Sequence, residues 1–418
     1  MPEFFNVLPP DAARRLLLDN ITSIVDYELI STTDALDRVT AEEIHAPRPL
    51  PDFRRSTMDG YAVRAADTHG AGESLPAFLE VVGEVPMGKP ALTRLGVGQA
   101  VIVHTGGMLP DSADAVVQLE HTQAVASINA GKFPFDIEVF RSVASGQNVI
   151  QIGEDIADGD ILLPKGTIVR PQDIGGLLAQ GITRVAVIRR PIVAILATGD
   201  EVIPPNSPVA IPGQIRDINS YTVAGQTRHA GGVAKILGII PDDFEALRGA
   251  AREGLRNADM LVVSAGSSVS ARDMTVRVVE ELGLPGVLLH GIATRPGKPT
   301  IAGAIDGKPV LGLPGNPVSA MVQYDMLGVP AIYRLQGVTE PRGRNHSIAR
   351  LGQNIASETG REDYVPAKLE PAADAWVASP IFGKSNLITT LVQADCLIKV
   401  PLNKGGLLAG EWVEILFL

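Results

Sequence analysis

PIVAILATGDE, residues 191–201, is an apolar run that stops abruptly in a Gly-Asp-Glu turn, and three later segments repeat the device: AKILGIIPDD (234–243), ADMLVVSAGSS (258–268) and KPVLGLPGNP (308–317). Near-continuous apolar runs of this length suit strands buried on both faces of a parallel sheet. Helical patterns follow them over 221–230, 243–257, 273–282 and 317–327, each after a short loop. Short strand-to-helix connections favour parallel pairing through right-handed crossovers. The expected fold class is therefore α/β, with a doubly wound, mostly parallel sheet over 190–337. In such sheets ligands bind outside the carboxyl ends of the strands, so the turns that end these runs are the first candidates for chemistry.

Working outward, the pattern predicts a helix over 10–26 and another over 32–41, which open a helical linker domain (1–48). Short alternating segments such as AFLEVVGEV, AVIVHTGG and FDIEVFRSV, punctuated by Gly, Pro and Asp, mark a β-rich inserted lobe (49–145). Residues 146–189 carry turn signals and a helix near 172–180 ending at Gly181; they return to the linker domain. After 337 the text reverts to short strands and closes on AGEWVEILFL, which reads as a small C-terminal β-barrel (338–418).

At 418 residues with 45% hydrophobic content, the chain can bury several cores. A formal charge of −11 without a Lys/Arg cluster argues against a nucleic-acid surface. Cys396 is the single cysteine, so neither an internal disulfide nor a CxxC pair is available. The N-terminus lacks a basic segment leading into an apolar stretch and no run is long enough to span a bilayer, so no membrane association and a cytoplasmic location are expected.

Thr198-Gly199-Asp200-Glu201 places two carboxylates at a strand's carboxyl end, where oxygen ligands suit Mg²⁺; an acidic turn that caps the next element is the alternative. In Ser264-Ala265-Gly266-Ser267-Ser268-Val269-Ser270-Ala271-Arg272-Asp273, small residues and a helix start could cradle an anion through backbone N–H groups; a flexible Ser-rich loop is the alternative, and Asp273 could equally cap the helix. Arg295-Pro296-Gly297-Lys298-Pro299 sets two cations on a rigid turn, and Leu313-Pro314-Gly315-Asn316-Pro317 enters a helix with Pro in its first turn. In the β-rich lobe, Ser56–Ala62 and His104–Gly107 read by themselves as tight polar turns, as does Gly153-Glu154-Asp155. His104, His121 and His290 read as local hydrogen-bonding residues. The sequence contains no HExxH, no phosphate loop ending in GK[ST], no GxSxG, and no GxGxxG after a strand.

Taken together, these segments resemble the molybdopterin molybdenumtransferase family, the MoeA type that also forms the E domain of gephyrin. The matching text is STMDGYAV (56–63), HTGGMLPDSADAVVQLE (104–120), SGQNVIQIGED (145–155), ATGDEV (197–202), GIIPDD (238–243), SVSARD (268–273), RPGKP (295–299), GLPGNPVSA (312–320), GREDY (360–364) and FGKSNL (382–387). The resemblance runs in order along almost the whole chain. It implies a four-domain homodimer that inserts molybdate into adenylylated molybdopterin and releases AMP in a Mg²⁺-dependent step. The active site would lie between the molybdopterin-binding α/β domain of one subunit and the β-rich lobe of the other.

Carried over residue by residue, Asp59, Thr105, Asp155, Glu201, Asp242 and Asp273 match the catalytic set. Asp200, Glu201, Asp242 and Asp273 match the metal set. Thr198, Gly199, Ser264, Gly266, Ser268, Arg295, Gly297, Lys298, Pro314, Gly315, Asn316, Pro317, Arg361 and Ser385 match ligand-binding positions. Implied partners are a molybdopterin adenylyltransferase upstream and molybdoenzyme maturation proteins downstream. The chain departs from the family where Ala265 and Ser270 replace loop glycines, where Ile150 and Gly291 replace basic residues, and where Arg295 replaces a lysine. Rival readings are a non-catalytic dimeric pterin carrier or scaffold, a tungstate-using paralogue, and a domain that itself adenylylates the pterin.

Overall fold

Alternate residues of the first apolar run point to opposite sides of one sheet. Val193 and Ile195 join Met260, Val262, Leu311 and Leu313 in one apolar layer, while Ala194 and Leu196 join Leu261, Val263 and Val310 in the other. That period of two, buried on both faces, is what a central strand requires. Helices Asn219–His229 and Pro10–Asp19 cover the first layer through Val223, Ala224, Ala13 and Leu17; helices Phe244–Arg256 and Val269–Leu282 cover the second through Leu247, Ala251, Val278 and Val279.

The computed structural model describes residues 7–125, 132–208, 211–265, 269–340, 346–372 and 375–418. These residues divide into two units, Met1–Glu42 with Lys165–Ile174 and Arg184–Leu418, and Glu43–Pro164 with Gly175–Thr183.

In the first unit the sheet runs in the order Val233–Ile240, Ile192–Thr198, Met260–Ser264, Lys308–Leu313, Ile301–Ile305, Pro285–His290. The first four strands are mutually parallel, and Ile301–Ile305 is antiparallel to both of its neighbours. The chain leaves Ile192–Thr198 for one side and returns to pair on its other side, so the switch point lies between Thr198 and Ser264. That topology bears out the doubly wound reading and puts Thr198–Glu201 at the crevice.

Strands His346–Leu351, Glu362–Pro371, Trp376–Pro380, Cys396–Val400 and Trp412–Phe417 close into a five-stranded barrel around Ala349, Ala367, Ala378, Ile398 and Val413. The second unit is built on a six-stranded sheet in the order Ala115–Gln118, Gly60–Val63, Gln99–Val103, Ala77–Glu84, Phe135–Val139, Thr122–Ala124.

Three local expectations are corrected. The opening helix stops at Asp19 instead of running to 26; the Ile21-Thr22 and Ile24-Val25 pairs that follow are β-branched and lose rotamer freedom in a helix. No helix forms over 32–41. Tyr27–Ser31 pairs with Arg184–Ile188 as a strand, a single 3₁₀ turn spans Thr32–Asp34, and Val39 and Thr40 make bridges to Ile168 and Val187. Asp37 there adopts φ 59°, which no α-helix accommodates. Finally, the helix that begins at Pro317 widens into a π turn over Tyr324–Gly328 before continuing as Val329–Leu335. Pro330 has no N–H to donate into the preceding turn, which favours such a local rearrangement.

Asp259 ties the sheet together at its amino edge. Its carboxylate accepts two of the Arg189 guanidinium bonds, at 2.7 and 2.8 Å, and the Ile192 amide at 2.8 Å. Burial pushes this carboxyl up, but the Arg189 and Ile192 hydrogen bonds and the Arg189 and Lys308 charges outweigh it, leaving the group below its ordinary value. A depressed value means stabilisation present above the unfolded value of about 3.9 and lost as pH falls through the folded one. Asp259→Ala is expected to cost about 2–4 kcal/mol in urea unfolding at pH 7, with the gap from wild type shrinking at pH 3.

Candidate functional site

The crevice end of the central strand is a short hydrogen-bonded chain. Thr198, buried at the end of Ile192–Thr198, donates its Oγ1 to Asp242 Oδ1 at 2.7 Å, and the Asp242 amide donates to Asp200 Oδ1 at 3.2 Å. Strand Val233–Ile240 runs parallel to Ile192–Thr198 and ends level with it, Thr198 facing Ile240, which brings Asp242, two residues further on, to Thr198. The Glu201 carboxylate folds back over Gly199, where a Cβ would stand 2.8 Å from Oε2. Asp200 is exposed, while Glu201 and Asp242 are half-buried.

Among the described residues no three His, Cys, Asp or Glu side chains converge as a ready-made metal cage. Asp273 lies exposed on helix Val269–Leu282. Gly266 and Ser268 fall outside the described residues.

A second part of the site is a cavity of about 900 Å³ whose walls come from the Arg295–Pro299 turn, the Pro314–Asn316 loop and the barrel. Its charged lining is Arg295, Lys298, Arg361, Lys384, Glu358 and Asp363. Four cations against two carboxylates make it a positive concavity in an acidic chain. Parallel pairing of Thr294–Arg295 with Glu362–Asp363 brings the buried Asp363 beneath the turn. Arg361 donates its Nε to Asp363 at 2.9 Å and pairs with Glu358 at 2.9 Å, while Arg295 stands 4.0 Å from Asp363. The two arginines are thus oriented by carboxylates. Lys298 and Lys384 have no ion-pair partner among the described residues, which leaves them available to an incoming anion.

The turn is held from below by Gln323, a fully buried side chain whose Nε2 donates to Thr294 Oγ1 and to Pro296 O, both at 2.9 Å. Gly297, at φ 104°, packs directly on it.

Polar contacts link the two parts. Asn219 Nδ2 donates to Ser264 Oγ and to Gly315 O at 2.9 Å each, and Asn316 Nδ2 donates to Ser385 Oγ at 2.9 Å. Barrel, loop and sheet edge are joined through these amides. Pro317 is buried in the first turn of the helix that starts there.

In the second unit Asp59 Oδ1 accepts the Thr105 amide at 2.8 Å and the Thr105 hydroxyl at 3.3 Å. Asp155 is exposed, and no hydrogen bond or ion pair joins it to Asp59 among the described residues.

Lys384, Asp363, Asn219 and Gln323 were not singled out from sequence as site residues. Lys384 and Asp363 sit inside FGKSNL and GREDY, so their signal was adjacency to Ser385 and Arg361. Asn219 opens a helix rich in polar residues and Gln323 closes a mostly apolar one, and in neither case does the local pattern show the tertiary contacts that set the role.

Comparison with known proteins agrees with this geometry. Residues 8–181 match the MoeA N-terminal region (domain I and II), 194–334 a probable molybdopterin binding domain, and 348–418 the MoeA C-terminal region (domain IV). A protein named for molybdopterin biosynthesis from Methanocaldococcus jannaschii is 34% identical across 99% of this chain and 98% of its own. A molybdopterin molybdenumtransferase of Bacillus subtilis is 33% identical across 94% of this chain and 90% of its own. The crystal structure of a molybdopterin biosynthesis MoeA protein from Pyrococcus horikoshii superposes with a TM-score of 0.83 at 32% identity, over 99% of this chain and 100% of that one.

Proposed function

The chain belongs to the MoeA family of molybdenum cofactor biosynthesis enzymes, and from that premise we propose that it inserts molybdate into adenylylated molybdopterin and releases AMP. The observation that carries this reading is the positive cavity joined through Asn316, Gly315 and Asn219 to the crevice edge of the sheet. A small tetrahedral oxyanion needs cations and N–H donors in a concave seat. Lys298, Lys384 and the oriented Arg295 and Arg361 provide them, with the Ser385 hydroxyl alongside. The pterin and its pyrophosphate would take the neighbouring crevice, where the strand ends present backbone groups and Thr198.

Mg²⁺ fits the donor set at the crevice. That ion takes oxygen ligands, keeps several waters, and is held by one or two carboxylates together with substrate phosphates. Asp200 and Asp242, linked through the Asp242 amide, would hold it with Glu201 beside them. Its chemistry there is to offset the charge of the pyrophosphate and of the phosphate that leaves as AMP. The protein's own part is positional: Thr198 fixes Asp242, Asp363 fixes Arg361, and Asn219 fixes the loop on which molybdate and pterin must meet.

The reaction is proposed for the cytoplasm, in a homodimer in which Asp59, Thr105 and Asp155 act on the ligand held by the other copy. A molybdopterin adenylyltransferase would supply the substrate, and molybdoenzyme maturation proteins would take the product. No helix among the described residues is long and apolar enough to cross a membrane.

The test is reconstitution. Purified protein given adenylylated molybdopterin, molybdate and Mg²⁺ should activate a cofactor-free molybdoenzyme; no activation above a protein-free control would sink the proposal. Mixing Asp59→Asn with Glu201→Gln protein should restore part of the activity that each lacks alone, as a site shared between copies requires.

A further inference from the structure

The Asp59–Thr105 pair has a neighbour that the transferase reading does not use. His104 closes strand Gln99–Val103, with its Nε2 2.8 Å from Glu84 Oε1 and its Nδ1 3.9 Å from Asp59 Oδ1. One imidazole is therefore flanked by a carboxylate on each nitrogen, and one of those carboxylates already receives two hydrogen bonds from Thr105.

The backbone is shaped for this contact. Strand Ala77–Glu84 pairs in parallel with Gln99–Val103 in the register Glu80 with Gln99 and Val81 with Ala100, then slips so that Glu84 faces Ile102. One extra residue is accommodated between Val81 and Glu84. Such a bulge turns the following side chain to the other face and recurs next to active sites, where it re-aims one group. Glu84 thereby lies opposite Ile102, two residues before His104 on the same face. Exposed ion pairs of this kind contribute little to stability, so a stabilising role does not account for the device.

We propose that His104, held by Glu84, is a positioning residue for Asp59 in the transferase reaction; this rests on the reading of Asp59 as a site residue given above. With Nε2–H donated to Glu84, Nδ1 carries a proton only in the cationic ring. The attraction to Asp59 is therefore present when His104 is protonated and absent when it is neutral, when Thr105 alone holds the carboxylate. The charged groups facing His104 are Glu84 from the strand end and Asp59 from the Ser56–Gly60 turn. Turnover is therefore expected to be higher with the ring charged than with it neutral, and so to fall as pH rises.

Two measurements on the full-length protein decide it. In the first, the ring nitrogen resonances of His104 are recorded by ¹⁵N NMR with no substrate present. Glu84→Gln should move the Nε2 resonance and Asp59→Asn the Nδ1 resonance, as loss of a carboxylate partner on each nitrogen requires; ring resonances unchanged in both variants overturn the proposal. In the second, AMP release is followed against pH. His104→Gln should lower kcat about threefold to tenfold, leave KM for adenylylated molybdopterin and the thermal midpoint unchanged, and remove the limb on which activity falls with rising pH. A wild-type pH profile in His104→Gln overturns the proposal even if the NMR coupling is present. Absence of AMP release from the wild-type protein would count against the transferase reading instead, and the substrate-free spectra would still report on the Glu84–His104–Asp59 contact.

Discussion

Asp242→Asn is expected to lower AMP release by about 10²–10³-fold at saturating substrate while leaving the thermal midpoint close to that of the wild type. The carboxylate accepts the buried Thr198 hydroxyl at 2.7 Å, and its own amide reaches Asp200 at 3.2 Å. Asparagine keeps that shape, and its Oδ1 can still accept from Thr198, so the loop should stay in place. What disappears is the negative charge that would hold Mg²⁺ against the pyrophosphate. Single-turnover AMP release with a melting curve on the same sample separates the two effects. Turnover within threefold of wild type would remove Asp242 from the catalytic set.

Gly297→Ala should produce the largest loss of oxyanion binding. A Cβ at this position would stand 2.3 Å from Gln323 Cγ, and the backbone at φ 104° is strained for any residue with a side chain. Either Gln323 moves, giving up its bonds to Thr294 and Pro296, or the Arg295–Lys298 turn opens. The first costs about 2–3 kcal/mol in buried hydrogen bonds, and the second withdraws Lys298 from the cavity. Molybdate affinity by calorimetry is expected to fall at least about tenfold. Adding Gln323→Ser removes the atoms in the way but also the bonds to Thr294 and Pro296, so the turn should be able to close again while the lost stability and the strain in φ remain. Unchanged affinity in Gly297→Ala would mean that the turn does not seat the anion.

The parts of the fold that could be read from sequence are those in which local pattern and tertiary environment agree. Val193 to Leu196 are apolar without alternation because helices cover both faces of that strand, and a continuous apolar run says as much. Asp243 was legible as a helix start, and it does cap Phe244–Arg256 by accepting the Ala246 amide at 2.8 Å. Residues 32–41 misled because Thr33 and Asp34 look like a helix start, whereas the pairing partners of Val39 and Thr40 lie more than a hundred residues away.

The site divides in the same way. Thr198, Asp200, Glu201 and Asp242 belong to loops that any doubly wound sheet brings to one edge, so two separated motifs could be expected to meet. Asp363 could not be paired with Arg295 from sequence, because that contact depends on a two-residue parallel bridge between the α/β domain and the barrel. Nor could Arg361 be recognised as a cation already oriented by carboxylates, which moves the weight of anion binding toward Lys298 and Lys384.

The most direct measurement of the central claim is AMP release from adenylylated molybdopterin by the purified protein, with and without molybdate and with and without Mg²⁺, beside Glu201→Gln. The predicted result is release that needs both ions and collapses in the variant. Tight pterin binding with no release under any condition would contradict it and would make the protein a carrier of the pterin instead of the enzyme that completes it.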